Sequence, residues 1–202
     1  MTSASYSNII KERILSSEKG SVFIAADFAD VAENSRVAVI LSRLESEGVI
    51  RRIMRGIYDK PEYYDYLQEY IAPLPEFVAQ ALARNFGWTI VPCGDAALNL
   101  LGLSTQVPAV WSYVSDGTYK EYTFEKTTIK FKKTTNKEIS KLSYKTALMV
   151  QALKAFGKEN MTDAVLTKLK KGLSKAEKKK MLEEAKSVTS WVYEYIKKIC
   201  SP

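Results

Sequence analysis

The amino-acid sequence predicts an α+β protein with a small N-terminal domain, residues 1–61, and a larger mixed domain, residues 62–202. Two observations predict this class. Residues 1–61 contain short helical patterns followed by two β-prone runs, whereas the larger domain contains several β-prone runs and then helical spacing to its end. The larger domain is therefore expected to combine a small antiparallel sheet with C-terminal helices.

The composition is that of a globular chain. Of its 202 residues, 46% are hydrophobic, which is enough for a sizeable core. No apolar run approaches the roughly 18 residues that span a membrane, and the first residues lack the basic and apolar regions of a signal peptide. The two cysteines, Cys93 and Cys200, make a poor disulfide framework, so we expect reduced thiols in a cytoplasm. We therefore expect a cytoplasmic protein that makes no contact with a membrane.

The chain contains no histidine, which argues against most enzyme mechanisms. Histidine is the commonest general base and metal ligand, and two cysteines cannot supply the roughly four ligands of a structural zinc site. Neither of the glycine-rich phosphate-binding motifs is present. We expect no catalytic residues, no metal and no cofactor, and a reaction centre without histidine is the remaining alternative.

The net charge of +7 is distributed unevenly. Residues 1–60 carry 9 basic and 8 acidic side chains, residues 61–120 carry 2 and 6, and residues 121–202 carry 19 and 9. The basic character therefore comes from the C-terminal third, mainly from lysine. A DNA-binding surface in the nearly neutral first third has to depend on where its arginines lie.

Three short elements open the N-terminal domain. Residues 8–16 place apolar side chains among charges and predict an amphipathic helix. Residues 21–24 form a small apolar run after a glycine and predict a strand. Residues 25–31 carry apolar side chains three apart and predict a short helix.

The best-marked element is a helix that begins near Asn34. Asn34 or Ser35 is the predicted N-cap, because either side chain can accept hydrogen bonds from the free amides of the first turn. Gly48 is the predicted stop, since glycine adopts without strain the left-handed conformation that ends many helices. Apolar residues recur at spacings of three and four and predict a buried stripe of Val37, Ile40, Leu41 and Leu44.

Two β-prone runs follow, residues 50–53 and 57–58, with Arg55 and Gly56 at the predicted turn and Pro61 closing the unit. The order of helix, strand, short helix, longer helix and hairpin is typical of a winged helix-turn-helix domain. In that fold the outward face of the longer helix enters the major groove of DNA, and the hairpin lies beside it.

This order predicts a DNA-binding surface. Bases or flanking phosphates are expected to contact Ser35, Arg36, Val39, Ser42 and Arg43 on the outward face of the helix. The DNA backbone is expected to contact Arg51, Arg52 and Arg55 on the hairpin, because the arginine fork fits phosphate oxygens. Glu45 and Glu47 are expected to point away from the phosphates.

The larger domain has a mixed pattern. Helices are predicted from Pro75 to Gly87 and again after Gly94. The predicted strands are residues 88–91, 109–114, 119–124 and 128–133. Asp116 and Gly117 predict a hairpin between the second and third of these strands. The predicted C-terminal helices are residues 143–156, 162–171 and 174–199.

Other interpretations of these features stay open. Winged helices also serve as protein-docking modules, so the exposed arginines could be ordinary surface. The lysine clusters at residues 130–133, 168–171 and 177–180 are expected to be solvated faces of amphipathic elements. Binding of RNA or of an acidic partner protein is the alternative for these clusters.

Three further residues have a functional and a structural interpretation. Cys93 precedes a helix, whose dipole could activate a thiol, but without a histidine partner it is expected to be a small structural residue. Asp27 and Asp30 are three apart on a helix without a third carboxylate, and they are expected to face solvent.

Residues 27–61, DFADVAENSRVAVILSRLESEGVIRRIMRGIYDKP, resemble the N-terminal winged helix of the AbiEi-type antitoxins of abortive-infection type IV toxin–antitoxin systems. The resemblance rests on LSRLESEGVIRRI at residues 41–53 and on RGIY at residues 55–58. A second stretch, CGDAALNLLGLSTQVP at residues 93–108 followed by VSDG, is similar to a segment of relatives of these antitoxins. Where those relatives are expected to have serine, this chain has Cys93.

The resemblance implies a transcriptional repressor of its own operon, whose winged helix binds promoter DNA at inverted repeats. It also implies an antitoxin that counteracts a nucleotidyltransferase-like toxin encoded beside it. In a type IV arrangement, the two proteins need not form a stable complex.

Overall fold

The computed structural model describes residues 3–134, 139 and 141–201. The chain forms two compact units, Met1–Gly87 with Phe124–Lys126, and Trp88–Thr123 with Thr127–Pro202. Residue 61, where the sequence predicts a domain boundary, lies inside the first unit, because the helix that follows packs against the N-terminal strands. Within the described residues, no helix has the length and apolar character needed to cross a membrane.

In its described residues, the first unit contains three helices, a short 3-10 turn and five short strands. In chain order these are α1 (Ser3–Ser16), β1 (Val22–Phe23), the 3-10 turn (Ala25–Phe28), α2 (Asn34–Ser46), β2 (Arg51–Met54), β3 (Ile57–Asp59), β4 (Glu62–Tyr64), β5 (Glu69–Ile71) and α3 (Pro75–Phe86). Strands β1, β3 and β2 form an antiparallel sheet with β3 in the centre, and β4 and β5 form a separate antiparallel hairpin.

The predicted stripe of α2 is confirmed as the core of this unit. All four of its residues are at most 3% exposed, and they pack with α1, the 3-10 turn and the hairpin that follows. The other buried members of this cluster are Ile10, Ile14, Phe28, Ile50 and Tyr58. The amphipathic pattern of α2 therefore fixes which of its faces is left for solvent.

The two ends of α2 differ in how well the sequence predicts them. Gly48 has a φ of +72° and follows the last turn, which confirms the predicted stop. The N-cap prediction is wrong, since Glu33 is the N-cap and no side chain caps the first turn. Asn34 and Ser35 already belong to the helix, and their side chains are exposed.

The second unit contains a four-stranded sheet and, within the described residues, five helices. The elements are β6 (Ile90–Pro92), α4 (Asp95–Leu100), β7 (Val110–Ser115), β8 (Lys120–Phe124), β9 (Thr127–Lys133), α5 (Tyr144–Phe156), α6 (Asp163–Lys171), α7 (Lys175–Glu184) and α8 (Ser190–Cys200). Helix α5 is central to this unit, because its residues 146–153 are all buried. The expected α+β class with C-terminal helices is confirmed, and the small antiparallel sheets are those formed by β1 to β5.

Two details of the second unit correct the sequence prediction. The strand order is β6-β7-β9-β8, and β7 pairs in parallel with β9, so Asp116 and Gly117 do not form a hairpin between adjacent strands. The helix predicted over residues 174–199 is divided into α7 and α8 by a 3-10 turn and by Val188, whose backbone is extended. The division lets α7 and α8 pack against each other, which one straight helix cannot do.

Gly117 is needed for a close approach to an aromatic ring. A Cβ atom at this position would lie 2.1 Å from the Cε2 atom of Trp88. The Trp88 ring also packs edge-on against Phe131, with the ring centroids 5.7 Å apart, and the Lys120 ammonium lies 5.7 Å from the centroid of Trp88. The ring therefore has contacts on several sides that hold it over the glycine backbone.

Replacing Gly117 with alanine should lower the free energy of unfolding by about 1–3 kcal/mol, because the added methyl group overpacks the Trp88 contact. Urea denaturation followed by circular dichroism measures the change. Gly172→Ala is the matched control, since a Cβ there meets only a carbonyl oxygen at 3.6 Å and the φ is an ordinary −77°. Wild-type stability of Gly117→Ala would contradict the prediction.

Candidate nucleic-acid interface

The outward face of α2 lies opposite its buried stripe. Ser35, Arg36, Val39 and Arg43 are exposed and Ser42 is half-buried. With roughly 100° of rotation per residue, the two serines and Val39 form the centre of this face, and the two arginines lie on one flank. The exposure of Val39 is 60%, which is high for an apolar side chain on a helix that packs into a core. All five positions are therefore within reach of a ligand.

The two arginines of this face have different surroundings. The guanidinium carbon of Arg36 lies 5.5 Å from the centroid of the Tyr6 ring on α1, a contact that orients the side chain but leaves its N–H donors available. Arg43 forms no ion pair or side-chain hydrogen bond with any residue that the structure describes. Both side chains can therefore donate to an external acceptor.

The β2–β3 hairpin presents two more arginines at the surface. Arg55 lies at the turn and is exposed. Arg52 is exposed, lies over the Tyr58 ring at 5.3 Å from its centroid, and donates from Nη2 to the Tyr58 hydroxyl at 2.9 Å. This hydrogen bond is the main cause that raises the pKa of Arg52 above its ordinary value. Tyr58 thus holds the Arg52 guanidinium in place at the edge of the hairpin.

Arg51 lies in a different environment, although it is the neighbour of Arg52. Its Nε and Nη2 atoms donate to the two carboxylate oxygens of Asp59 at 3.1 and 2.6 Å, and the Asp59 side chain is fully buried. Nη2 also donates to the carbonyl oxygen of Ile71 at 3.0 Å, and Nη1 lies 3.5 Å from Glu125. The sequence predicts a phosphate contact for Arg51, but these contacts engage its donors, and we assign it to the stability of the fold.

The two carboxylates near the end of α2 have different positions. Glu47 accepts from the Lys11 ammonium at 2.9 Å, so its charge is paired with α1. Glu45 contributes to the raised pKa of Arg52 and lines, with Arg51 and Arg52, a cavity of about 290 Å³. Glu45 therefore lies beside the hairpin arginines, whereas the sequence predicts that it points away from the DNA-binding surface.

The groups that support the arginines are the part of the site that sequence reasoning missed. Tyr6 and Tyr58 contact Arg36 and Arg52, and Asp59 neutralises Arg51. The sequence feature that could have revealed the Arg51–Asp59 pair is the position of Asp59 directly after an apolar β-prone run. A carboxylate at the end of a central strand requires a cation nearby.

The remaining candidate residues have structural contacts. Burial is the main cause that raises the pKa of the Cys93 thiol, which agrees with a structural residue rather than a reactive one. Asp30 is exposed and pairs with Arg13 at 2.7 Å. Asp27 does not simply face solvent, since its carboxylate accepts from Arg84 at 2.8 and 3.0 Å and is 23% exposed.

Lysines of the C-terminal third are interleaved with acidic partners. Lys130 lies 3.1 Å from Glu121, and Lys145 donates to Glu177. These contacts are typical of the solvated faces of amphipathic elements. Among the described residues there is no group of three or more side chains that could hold a metal ion.

Residues 9–181 match the family of unknown function DUF6088. Because the match covers most of the chain, this protein belongs to that family. The comparison with curated proteins gives no match.

The contacts of Arg51 predict a difference between two arginines of one hairpin. Replacing Arg51 with alanine should lower the free energy of unfolding by about 3 kcal/mol, because it leaves the Asp59 charge buried without a partner. Replacing Arg55, which is exposed at the turn, should change it by less than about 0.5 kcal/mol. Urea denaturation followed by circular dichroism measures both. Equal stability of the two variants would contradict the structural assignment of Arg51.

Proposed function

We propose that this protein binds DNA as a winged helix-turn-helix protein, through the outward face of α2 and the β2–β3 hairpin. The proposal rests on the exposed arginines of these two elements, Arg36 and Arg43 on the helix and Arg52 and Arg55 on the hairpin. It is supported by the order of the elements and by the sheet order β1-β3-β2, which are typical of that domain.

Helix α2 reads the DNA sequence in this proposal. Arginine can donate two hydrogen bonds to guanine in the major groove, and this role is assigned to Arg36 and Arg43. Ser35 and Ser42 can bond to base edges or phosphates, and the exposed Val39 side chain can contact the methyl group of thymine. The contact between Arg36 and Tyr6 orients one reading group before DNA arrives, which lowers the entropic cost of binding.

The hairpin supplies affinity that is independent of sequence. Arg52 and Arg55 contact phosphates beside the groove, and Arg51 acts indirectly by holding β2 to β3. Glu45 lies beside Arg52 and repels phosphates, so the DNA backbone follows the hairpin on the side away from this carboxylate.

Arginine substitutions distinguish base contacts from phosphate contacts. Alanine at a base-reading position, Arg36 or Arg43, should weaken binding to the operon's own promoter by about 1–3 kcal/mol and relax sequence specificity. Alanine at Arg52 or Arg55 should weaken binding to all DNA alike and reduce the slope of log K against log salt by about 1. A gel-shift titration against the upstream region and a scrambled DNA, over a salt series, measures both effects.

The matched control is Arg13→Ala, an exposed arginine that is paired with Asp30 outside this surface. It should bind both DNAs like the wild type. Equal affinity of the wild-type protein for the upstream and scrambled DNA would argue against sequence-specific recognition. A protein that binds neither DNA at low salt would overturn the proposal and favour a winged helix that docks proteins.

The regulatory role that we propose is that of an AbiEi-type antitoxin and autorepressor. It is supported by the resemblance of residues 27–61 and 93–108 to those antitoxins. The protein represses its own operon from inverted repeats in the promoter and counteracts a nucleotidyltransferase-like toxin encoded beside it. Toxin antagonism has no residue assigned to it in this proposal.

Co-expression with the neighbouring gene tests the antitoxin role. Growth arrest by the neighbouring protein should be relieved by the wild-type chain. The double variant Arg36→Ala/Arg43→Ala should relieve it equally when both genes are under foreign promoters, because antagonism does not require the operator. The same variant should fail to repress a reporter fused to the native promoter. Growth arrest that persists in the presence of the wild-type chain would refute the antitoxin role and leave the DNA-binding test unaffected.

A further inference from the structure

The β4–β5 hairpin and the segment that follows it expose much apolar surface. Between residues 63 and 77, eight large aromatic or aliphatic side chains are each at least 43% exposed, and four of them are tyrosines. Tyr66, at the tip of the hairpin, is 87% exposed. Concentrated apolar surface of this kind marks interaction sites on soluble proteins. We term residues 62–77 the tyrosine surface.

The tyrosine surface is also acidic. Between Pro61 and Arg84 the sequence contains four carboxylates and neither lysine nor arginine. Glu62, Asp65 and Glu69 belong to the hairpin, and none of them forms an ion pair with another residue that the structure describes. The hairpin therefore carries three carboxylates that no ion pair among the described residues neutralises, in the same unit as the cationic face of α2.

The pairing of the two strands distributes these groups over two faces. Tyr63 lies opposite Tyr70, with the ring centroids 5.1 Å apart, and the guanidinium of Arg51 lies 6.0 Å from the Tyr70 centroid. The other face carries the cross-strand pairs Glu62 with Ile71 and Tyr64 with Glu69. On that face each carboxylate therefore stands directly opposite an apolar or aromatic side chain.

A groove of about 220 Å³ adjoins this second face. Its walls include Glu62, Ile71, Leu74 and Phe77, and Lys19 also lines it. The groove can accept an apolar side chain, while Glu62 can pair with a cation next to that side chain. An apolar anchor flanked by cations therefore matches the chemistry of this face.

From these observations we infer that the tyrosine surface binds an arginine- or lysine-rich segment of another protein. The unpaired carboxylates attract cations, and exposed tyrosine rings accept guanidinium and ammonium groups over their faces. Tyr70 already has such a contact with Arg51. Tyrosine also supplies binding area at low entropic cost, which is why it is enriched at the centres of interfaces.

Two other occupants match this surface less well. Nucleic acid is repelled by three carboxylates on one hairpin. A symmetric dimer formed through this hairpin brings two acidic surfaces together, which costs free energy for each pair of like charges. The inference is also independent of DNA binding, because the tyrosine surface contains none of the DNA-contact residues proposed above.

Peptide selection with the full-length protein tests this inference. Random short peptides displayed on phage are selected on the wild-type chain, and the affinity of the most enriched peptide is measured by fluorescence anisotropy. The test variant is Glu62→Gln/Asp65→Asn/Glu69→Gln, which keeps the tyrosines. The matched control is Glu12→Gln/Glu159→Gln/Glu183→Gln, which changes the net charge equally at exposed positions elsewhere.

The enriched peptides should combine arginine or lysine with an apolar residue. The test variant should bind them about tenfold more weakly, as expected for the loss of three exposed ion pairs, and the control should bind like the wild type. Tyr64→Ser/Tyr66→Ser should weaken binding at high salt as well, where screening suppresses the ion pairs.

Several results would overturn the inference. These are the absence of enrichment, enriched peptides without net positive charge, or equal affinity for the wild type and the test variant. Sedimentation velocity adds one more: a wild-type dimer that the test variant abolishes would mean that a second copy covers this surface. Gel shifts compare the test variant with the matched control, which has the same net charge, and the two should bind DNA alike, so failure of the DNA-binding proposal is recognised separately.

Discussion

A carboxylate without access to water organises the first unit of this protein. Asp59 lies in the central strand β3, in register with Val22 on one side and with Arg51 on the other. The bidentate contact with Arg51 compensates the burial of its charge. Because the same guanidinium reaches the carbonyl oxygen of Ile71, one side chain fixes the β2–β3 hairpin and also the β4–β5 hairpin beside it. This internal ion pair therefore connects the hairpin that carries Arg52 and Arg55 to the acidic hairpin.

The parts of the fold that were predictable from sequence are those set by local patterns. The apolar residues of α2 recur at spacings of three and four. The sequence alone therefore separates the buried face of this helix from the face with Arg36 and Arg43. Gly48 and Gly87 each end a helix in the left-handed conformation that glycine adopts without strain. The exposed half of the candidate site could therefore be predicted, because helix periodicity places a side chain without knowledge of its neighbours.

The rest depends on contacts between residues distant in sequence. Arg51 and Arg52 are adjacent on a strand and point to opposite sides of it, and only the burial of Asp59 decides which one turns inward. The chain bends at Asp116 and Gly117, but the strand beside β7 is β9, and β8 takes the next position. The apolar spacing of residues 174–199 continues across the break between α7 and α8, so periodicity could not reveal it.

The tryptophan that closes over Gly117 has a consequence for spectroscopy. The chain has three tryptophans, Trp88, Trp111 and Trp191, and all of them belong to the second unit. The first unit, which carries both proposed binding surfaces, contains tyrosine as its only strongly absorbing side chain. Intrinsic indole emission therefore originates in the second unit alone, and tyrosine is the intrinsic fluorophore that lies within the first unit itself.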